Sequence, residues 1–169
     1  MGEKIKIMMV DDEPDLCLIV KMNLEQAGDF MVVTQNDPTK ALEMVKQEKP
    51  DVVLLDVVMP GMKGSDLAKV LKADPATKTI PIIIVSGKGE MIYNKKKDEF
   101  KWQPNNPVIA QTHPDLPAVK GAEALAEAYG VDDYVSKPFT TEVLVEVIND
   151  VLQRRRKAQK PKDEDGLGM

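Results

Sequence analysis

Apolar and polar positions repeat one unit along the first half of the chain. Ile5 to Val10 is a short apolar run ending in Asp11, Asp12 and Glu13, and Pro14 then suits the first turn of a helix. Leu16, Ile19, Val20 and Leu24 recur at helical spacing until Gly28 closes the segment. Met31 to Thr34 predicts a second strand, and Asp37-Pro38 opens a second helix with Ala41, Leu42 and Val45 on its apolar stripe, ended by Lys49-Pro50. Val52 to Leu55 is an unbroken apolar run of the kind buried on both faces. Ser65 is a candidate N-cap for a third helix carrying Leu67, Ala68, Val70 and Leu71, which Asp74-Pro75 stops. Ile82 to Val85 is a fourth strand finishing at Ser86-Gly87. Alternation of this kind predicts an α/β protein whose parallel strands are joined by right-handed helical crossovers.

The pattern breaks after that point. From Lys88 to about Lys120 no period is sustained, four prolines intervene, and the segment holds Lys95-Lys96-Lys97 with the sole Trp and sole His of the chain. Long irregular stretches in compact domains are functional or disordered. Periodicity resumes with a helix-forming run from Ala122 to Ala128 closed by Gly130. Asp133 to Ser136 is a fifth strand, followed by Lys137-Pro138-Phe139. Thr140 or Thr141 caps a last helix striped by Val143, Leu144, Val147, Ile148, Val151 and Leu152. The expected organisation is one domain over 1–154, interrupted by an insertion at about 88–120, and a disordered polar tail over 155–169. Arg154-Arg155-Arg156-Lys157 complements the negative end of the last helix dipole, a simpler account than a nucleic-acid arm.

The carboxyl ends of the predicted strands carry the candidate chemistry. The first strand ends in Asp11 and Asp12, the third in Asp56, the fourth in Ser86, and Lys137 follows the fifth; the second contributes nothing comparable. In open parallel sheets ligands bind beyond that edge. Asp56 alone is equally well read as a turn or cap residue before Pro60, Gly61 and Gly64. Together the five residues demand more. Two carboxylates about 4 Å apart repel by ~4 kcal/mol at an effective dielectric of 20, and a hard divalent cation such as Mg²⁺ relieves that repulsion. A carboxylate beside Mg²⁺ can attack a phosphoryl group, with the Ser86 hydroxyl and Lys137 ammonium as donors to its oxygens.

Composition narrows the field. The 169 residues are 43% hydrophobic and 30% charged, ordinary for a globular protein with a real core. A net charge of -5 offers no electrostatic case for nucleic acid or an anionic membrane, so neither is expected as a partner. A single cysteine, Cys17, excludes an internal disulfide and reads as a small apolar residue within the first helix. With no spanning-length apolar run and no signal-peptide pattern, a cytoplasmic location is expected.

Four stretches resemble the receiver domain of two-component response regulators: Val10-Asp11-Asp12, Asp56 to Gly64, Ile84-Val85-Ser86-Gly87, and Asp133 to Phe139. The resemblance covers about 3 to 152 apart from the insertion. It implies a doubly wound, flavodoxin-like five-stranded parallel sheet in order 2-1-3-4-5. It further implies that Asp56 is the phosphoacceptor for a sensor histidine kinase. Asp12, Asp56 and the Val58 backbone carbonyl would bind Mg²⁺, with Asp11 acting mainly through water. Ser86 and Lys137 would contact the phosphoryl group, and Tyr134 would report the state by changing rotamer. Ser86 replaces a frequent threonine, Lys63 stands where an acid is frequent, and Ser86 and Lys137 are separated by 51 positions, far more than is usual.

The expected function is a stand-alone response regulator that signals through protein–protein contacts with a downstream partner or as a homodimer. It would be no enzyme beyond its own phosphoryl transfer and autodephosphorylation. The alternative is a receiver-fold scaffold that works without phosphorylation. An aspartyl phosphatase is disfavoured because Val58 stands where a second acid is needed. His113, in a proline-rich stretch, reads as a solvated loop residue. The insertion at about 89–119, with Tyr93, Phe100, Trp102 and Lys101, is either a tolerated loop or an interaction element.

Overall fold

Successive residues of a strand point to opposite faces, so a strand apolar at every position needs a packed layer on each side. The computed structural model describes residues 2–57, 59–86, 89–94, 99–104, 118–119 and 130–160, and it meets that demand. Strands β1 (Ile5–Val10), β2 (Phe30–Gln35), β3 (Val52–Leu55), β4 (Ile82–Ser86) and β8 (Asp133–Ser136) form a parallel sheet in order β2-β1-β3-β4-β8. This is the expected order. Helices α1 (Pro14–Ala27), α2 (Ala41–Glu48), α3 (Gly64–Ala73) and α4 (Thr141–Gln159) cover it.

The core divides by strand parity. Met8, Val10, Val53, Leu55, Ile82 and Ile84 pack with Ala41 and Val45 of α2 and Leu67, Ala68 and Leu71 of α3. Ile7, Met9, Val52, Leu54, Ile83 and Val85 pack on the other side with Cys17, Val20 and Leu24 of α1 and Leu144, Ile148 and Val151 of α4. Every one of those residues is buried.

Local signals set most element ends. The Asp37 carboxylate accepts from the Thr39 N–H at 3.0 Å and opens a 3-10 turn, Pro38–Lys40, ahead of α2. Thr140, rather than Thr141, caps α4, its hydroxyl accepting from the Val143 N–H at 3.3 Å. Three expectations are corrected. Ile19 is not a core position of α1 but is 55% exposed beside Leu18 and Met22, because Cys17, Val20 and Leu24 take the sheet-facing line. Helix α3 begins at Gly64, so Ser65 lies inside it and Lys63 takes the cap position. The stretch after β4 is not devoid of regular structure. Strands β5 (Gly89–Asn94), β6 (Glu99–Pro104) and β7 (Ala118–Val119) form a separate antiparallel sheet, with Met91 in register with Trp102 and Tyr93 with Phe100. A further correction concerns the tail expected over 155–169: residues 155–159 continue α4 to Gln159, where Arg155 pairs with Asp132 at 2.7 Å. The helix expected at 122–128 and residues 161–169 lie outside the described residues.

The start of β8 is tied to three other elements through Asp132. Its carboxylate accepts from the Ile82 N–H at 3.0 Å, pairs with Arg155 of α4 at 2.7 Å and lies 3.9 Å from Lys72 of α3. Burial pulls the Lys72 pKa below its ordinary value even though Asp132 opposes the shift. Asp132→Ala leaves the Ile82 N–H and the Arg155 guanidinium without this acceptor. An expected loss of about 1–3 kcal/mol in urea unfolding, with an unchanged denaturant slope, checks the role of this contact.

Candidate functional site

Parallel neighbours end at the same edge, and that geometry assembles the acids. The Asp56 N–H donates to the Val10 carbonyl at 2.9 Å and the Asp11 N–H to the Gln35 carbonyl at 3.1 Å, extending the ladder one residue past β3 and β1. Carboxylate oxygens of Asp11, Asp12 and Asp56 consequently lie within 4.8 Å of one another. Asp11 and Asp56 are fully buried, and Asp12 is half-buried.

Lys137 enters this cluster from the end of β8. Its ammonium donates to Asp11 Oδ2 at 2.6 Å and lies 3.7 Å from Glu13 Oε1 and 3.9 Å from Asp56 Oδ1. Burial alone would lower its pKa, and that is the largest single influence. The carboxylates of Asp56, Asp11 and Glu13 together outweigh it and hold the ammonium above its ordinary range. The three clustered carboxyl groups outnumber the Lys137 ammonium among the described residues, and their oxygen donors suit a hard divalent ion. The residues present therefore fit a metal site.

The two oxygens of Asp11 are not equivalent to an open ligand pair. Oδ1 accepts from the Glu13 N–H at 2.9 Å, and Oδ2 holds Lys137. The Asp11 backbone carbonyl is also held, by the Asn36 amide at 2.9 Å. Asn36 and Gln35 revise the expectation that the second strand contributes nothing comparable: it supplies no ligand, but it orients Asp11. No motif marks Asn36, because a polar residue after a strand is what any loop shows. Glu13 is a second addition, visible in the acidic run but not distinguished there from a helix-start residue. The Cys17 thiol lies 3.6 Å from the Asp11 carbonyl, and burial, reinforced by the Asp11 charge, pushes its pKa up to about 11. It is a packed thiol at the rear of the site, not a nucleophile.

Tyr134 sits on β8 opposite Ile84, half-buried against the core side that holds Val10 and Met59, and burial followed by the Asp133 charge raises its pKa. The Ser86 backbone ends β4 in register with Ser136; its hydroxyl, like Val58 and His113, lies outside what the structure describes. Of the expected site residues, Asp11, Asp12, Asp56 and Lys137 converge directly.

Gly64 makes the approach of α3 possible. Its N–H donates to the Val57 carbonyl at 2.9 Å, and a Cβ there would overlap the Asp56 carbonyl oxygen and come within 2.7 Å of Val57 Cα. Backbone cannot yield as a side chain can. Gly64→Ala is expected to cost about 1–3 kcal/mol in thermal or urea unfolding, whereas Gly2→Ala, where a Cβ meets nothing, is expected to be neutral.

Comparison with known proteins agrees with this geometry. The model of the response regulator receiver domain matches residues 7–103. The DNA-binding response regulator MtrA of Mycolicibacterium smegmatis is 31% identical over 149 residues, covering 88% of this chain and 51% of that protein. Protein PilH of Pseudomonas aeruginosa is 30% identical over 147 residues, covering 87% of this chain and 97% of that protein. The chain thus spans about half the length of several curated relatives it matches and nearly all of PilH. The chemotaxis protein CheY4 of Vibrio cholerae shares the fold, with a TM-score of 0.63 at 23% identity over 89% of this chain and 99% of that one. MtrA also corrects the exclusion of nucleic acid: the net charge of one receiver speaks only for its own surface, and a relative of this chain is named as DNA-binding. No helix among the described residues is long and apolar enough to cross a membrane. On its strand-end acids, its lysine and its sequence, the chain belongs to the response regulator receiver domain family.

Proposed function

We propose that Asp56 is the phosphoacceptor of a switch that signals through protein contacts. The observation that carries this is the buried Asp56 carboxylate at the end of β3, with Asp11 and Asp12 clustered around it and the Lys137 ammonium 3.9 Å away. In the proposed step an Asp56 oxygen attacks the phosphorus of a phosphohistidine on a sensor kinase. A P–O bond forms, the P–N bond breaks, and the imidazole keeps the electron pair. Hydrolysis of the acyl phosphate by water returns the carboxylate and inorganic phosphate, the only turnover expected of it. Mg²⁺ at Asp12 and Asp56, completed by the Val58 carbonyl, would neutralise phosphoryl charge. Asp11, with both oxygens engaged by protein donors, would reach the ion through water. Lys137 and the Ser86 hydroxyl would hold the phosphoryl oxygens, and Tyr134 would change rotamer as β4 and β8 respond.

Near-complete coverage of PilH supports a stand-alone regulator, whereas half coverage of MtrA supports a receiver that works with an attached effector. The intact acid–lysine cluster gives no support to a scaffold that works without phosphorylation. The β5-β6 hairpin, which pairs Met91 with Trp102 and Tyr93 with Phe100, supports the insertion as an element for a downstream partner or a second copy. A lone buried cysteine suits a reducing, cytoplasmic setting.

Incubation with acetyl phosphate and Mg²⁺ is expected to add one phosphoryl mass to the wild-type protein, stable in acid and labile in alkali, and none to Asp56→Asn. Labelling of that variant at the same stoichiometry sinks the assignment. Mg²⁺ alone is expected to raise the melting temperature in proportion to the logarithm of its concentration above Kd, and EDTA to reverse the shift. The gain should be smaller in Asp12→Asn.

A further inference from the structure

The opposite edge of the sheet carries a groove that phosphoryl chemistry does not use. It runs across the amino ends of β1, β3 and β4 to the last turns of α4, with a volume of about 830 Å³. Its apolar lining includes Ile5, Pro50, Ile80, Pro81 and Leu152, and Met31, 40% exposed, adds to it. Five basic side chains line it against two acidic ones, in a chain whose net charge is -5.

Those five cations divide into two groups. Lys6 is engaged by Glu48 at 3.1 Å and Arg155 by Asp132 at 2.7 Å. Lys4, Lys49 and Arg156 are exposed and make no side-chain hydrogen bond or ion pair with the described residues. Of the two acids, Asp51 already accepts from the Lys6 N–H at 2.7 Å. Lys49 also occupies a left-handed conformation, φ 48, at the end of α2, where glycine has the lower backbone cost. Among the described residues the groove therefore presents three cations on its rim that form no ion pair, with Glu3 in the lining and Glu25 within electrostatic reach of Lys4, and apolar surface between them.

We propose that this groove docks an acidic peptide segment of a partner protein that carries apolar side chains among its carboxylates. Charge complementarity selects the carboxylates, and the apolar lining selects the side chains between them. A flat bilayer or a duplex backbone matches only the rim, because neither brings apolar groups to Ile80, Pro81 and Leu152. The groove lies at the amino ends of the same strands whose carboxyl ends carry Asp56. Docking is thus independent of the phosphorylation state and does not rest on the switch proposed above.

Fluorescence anisotropy with the full chain tests this, using a fluorescein-labelled peptide of alternating glutamate and leucine. Saturable binding is expected that weakens with salt, is unchanged in Asp56→Asn, and falls at least about tenfold in the combined Lys4→Glu, Lys49→Glu, Arg156→Glu variant. Lys49→Gly guards against a folding artefact: it relieves the left-handed residue, so stability should rise while peptide affinity falls. A matching lysine–leucine peptide should not bind. Absence of saturable binding, affinity unchanged in the combined variant, or binding only to duplex DNA or to phosphatidylserine vesicles overturns the proposal.

Discussion

Three carboxylates meet at the end of β1 and β3, and one ammonium stands among them. Each close pair of like charges costs ~4 kcal/mol at an effective dielectric of 20, so the cluster persists only because the fold forces it and Lys137 partly offsets it. That lysine is 126 residues from Asp11 in the chain, yet its ammonium sits 2.6 Å from Asp11 Oδ2 and ties the end of β8 to the end of β1. Removing one partner of a buried ion pair costs about 3–5 kcal/mol, because the other charge is left in a poor solvent. The cluster is accordingly a point where the charges of Asp56, Asp11 and Lys137 are held in close balance.

The rigidity needed to hold that arrangement comes from the two apolar layers. Each of β1, β3 and β4 feeds alternate side chains into opposite cores, so none can slip by one residue without exchanging its layers, and a slip by two would leave an apolar residue at the edge and draw an acid into the ladder. Gly64 adds a steric condition, since only a residue without Cβ lets α3 start against the Asp56 carbonyl. The backbone of Asp56 is therefore held from both sides, by Val10 through the sheet and by the β3–α3 connection.

Charge is sorted along the strand axis. The carboxyl edge gathers Asp11, Asp12 and Asp56 with Lys137, while the amino edge gathers the end of α4 and the lysines before β1 and β3. Asp132 links the α4 end of that second group to β4 and α3, which makes the amino edge a braced surface. The two edges of the sheet thus differ in chemistry, carboxylates with Lys137 at one and cations with apolar surface at the other.

Alternation of strand and helix, the apolar runs of β1, β3 and β4, and the acids after them were legible because each is a local property of the chain: side-chain period, turn chemistry, and a change from apolar to charged. Together with the receiver motifs they determined the sheet order and named Asp11, Asp12, Asp56 and Lys137 as neighbours. The hairpin after β4 escaped because β5, with Met91, Ile92 and Tyr93 in succession, lacks clean alternation, and the short alternation of Glu99 to Gln103 is flanked by the Lys95-Lys96-Lys97 run and prolines. Asn36, Glu13 and Gly64 escaped for a different reason. Their roles are defined by partners that only the packed sheet brings within reach, namely the Asp11 carbonyl, Lys137 and the Asp56 carbonyl. The exposure of Ile19 was likewise decided by which line of α1 faces the sheet, since an apolar stripe states which residues can be buried but not which of them the packed core takes, here Cys17, Val20 and Leu24. Sequence by itself determined which chemistry stands at the strand ends; distance, burial and the identity of each supporting contact were decided by tertiary structure, because they depend on chain segments that meet only after folding.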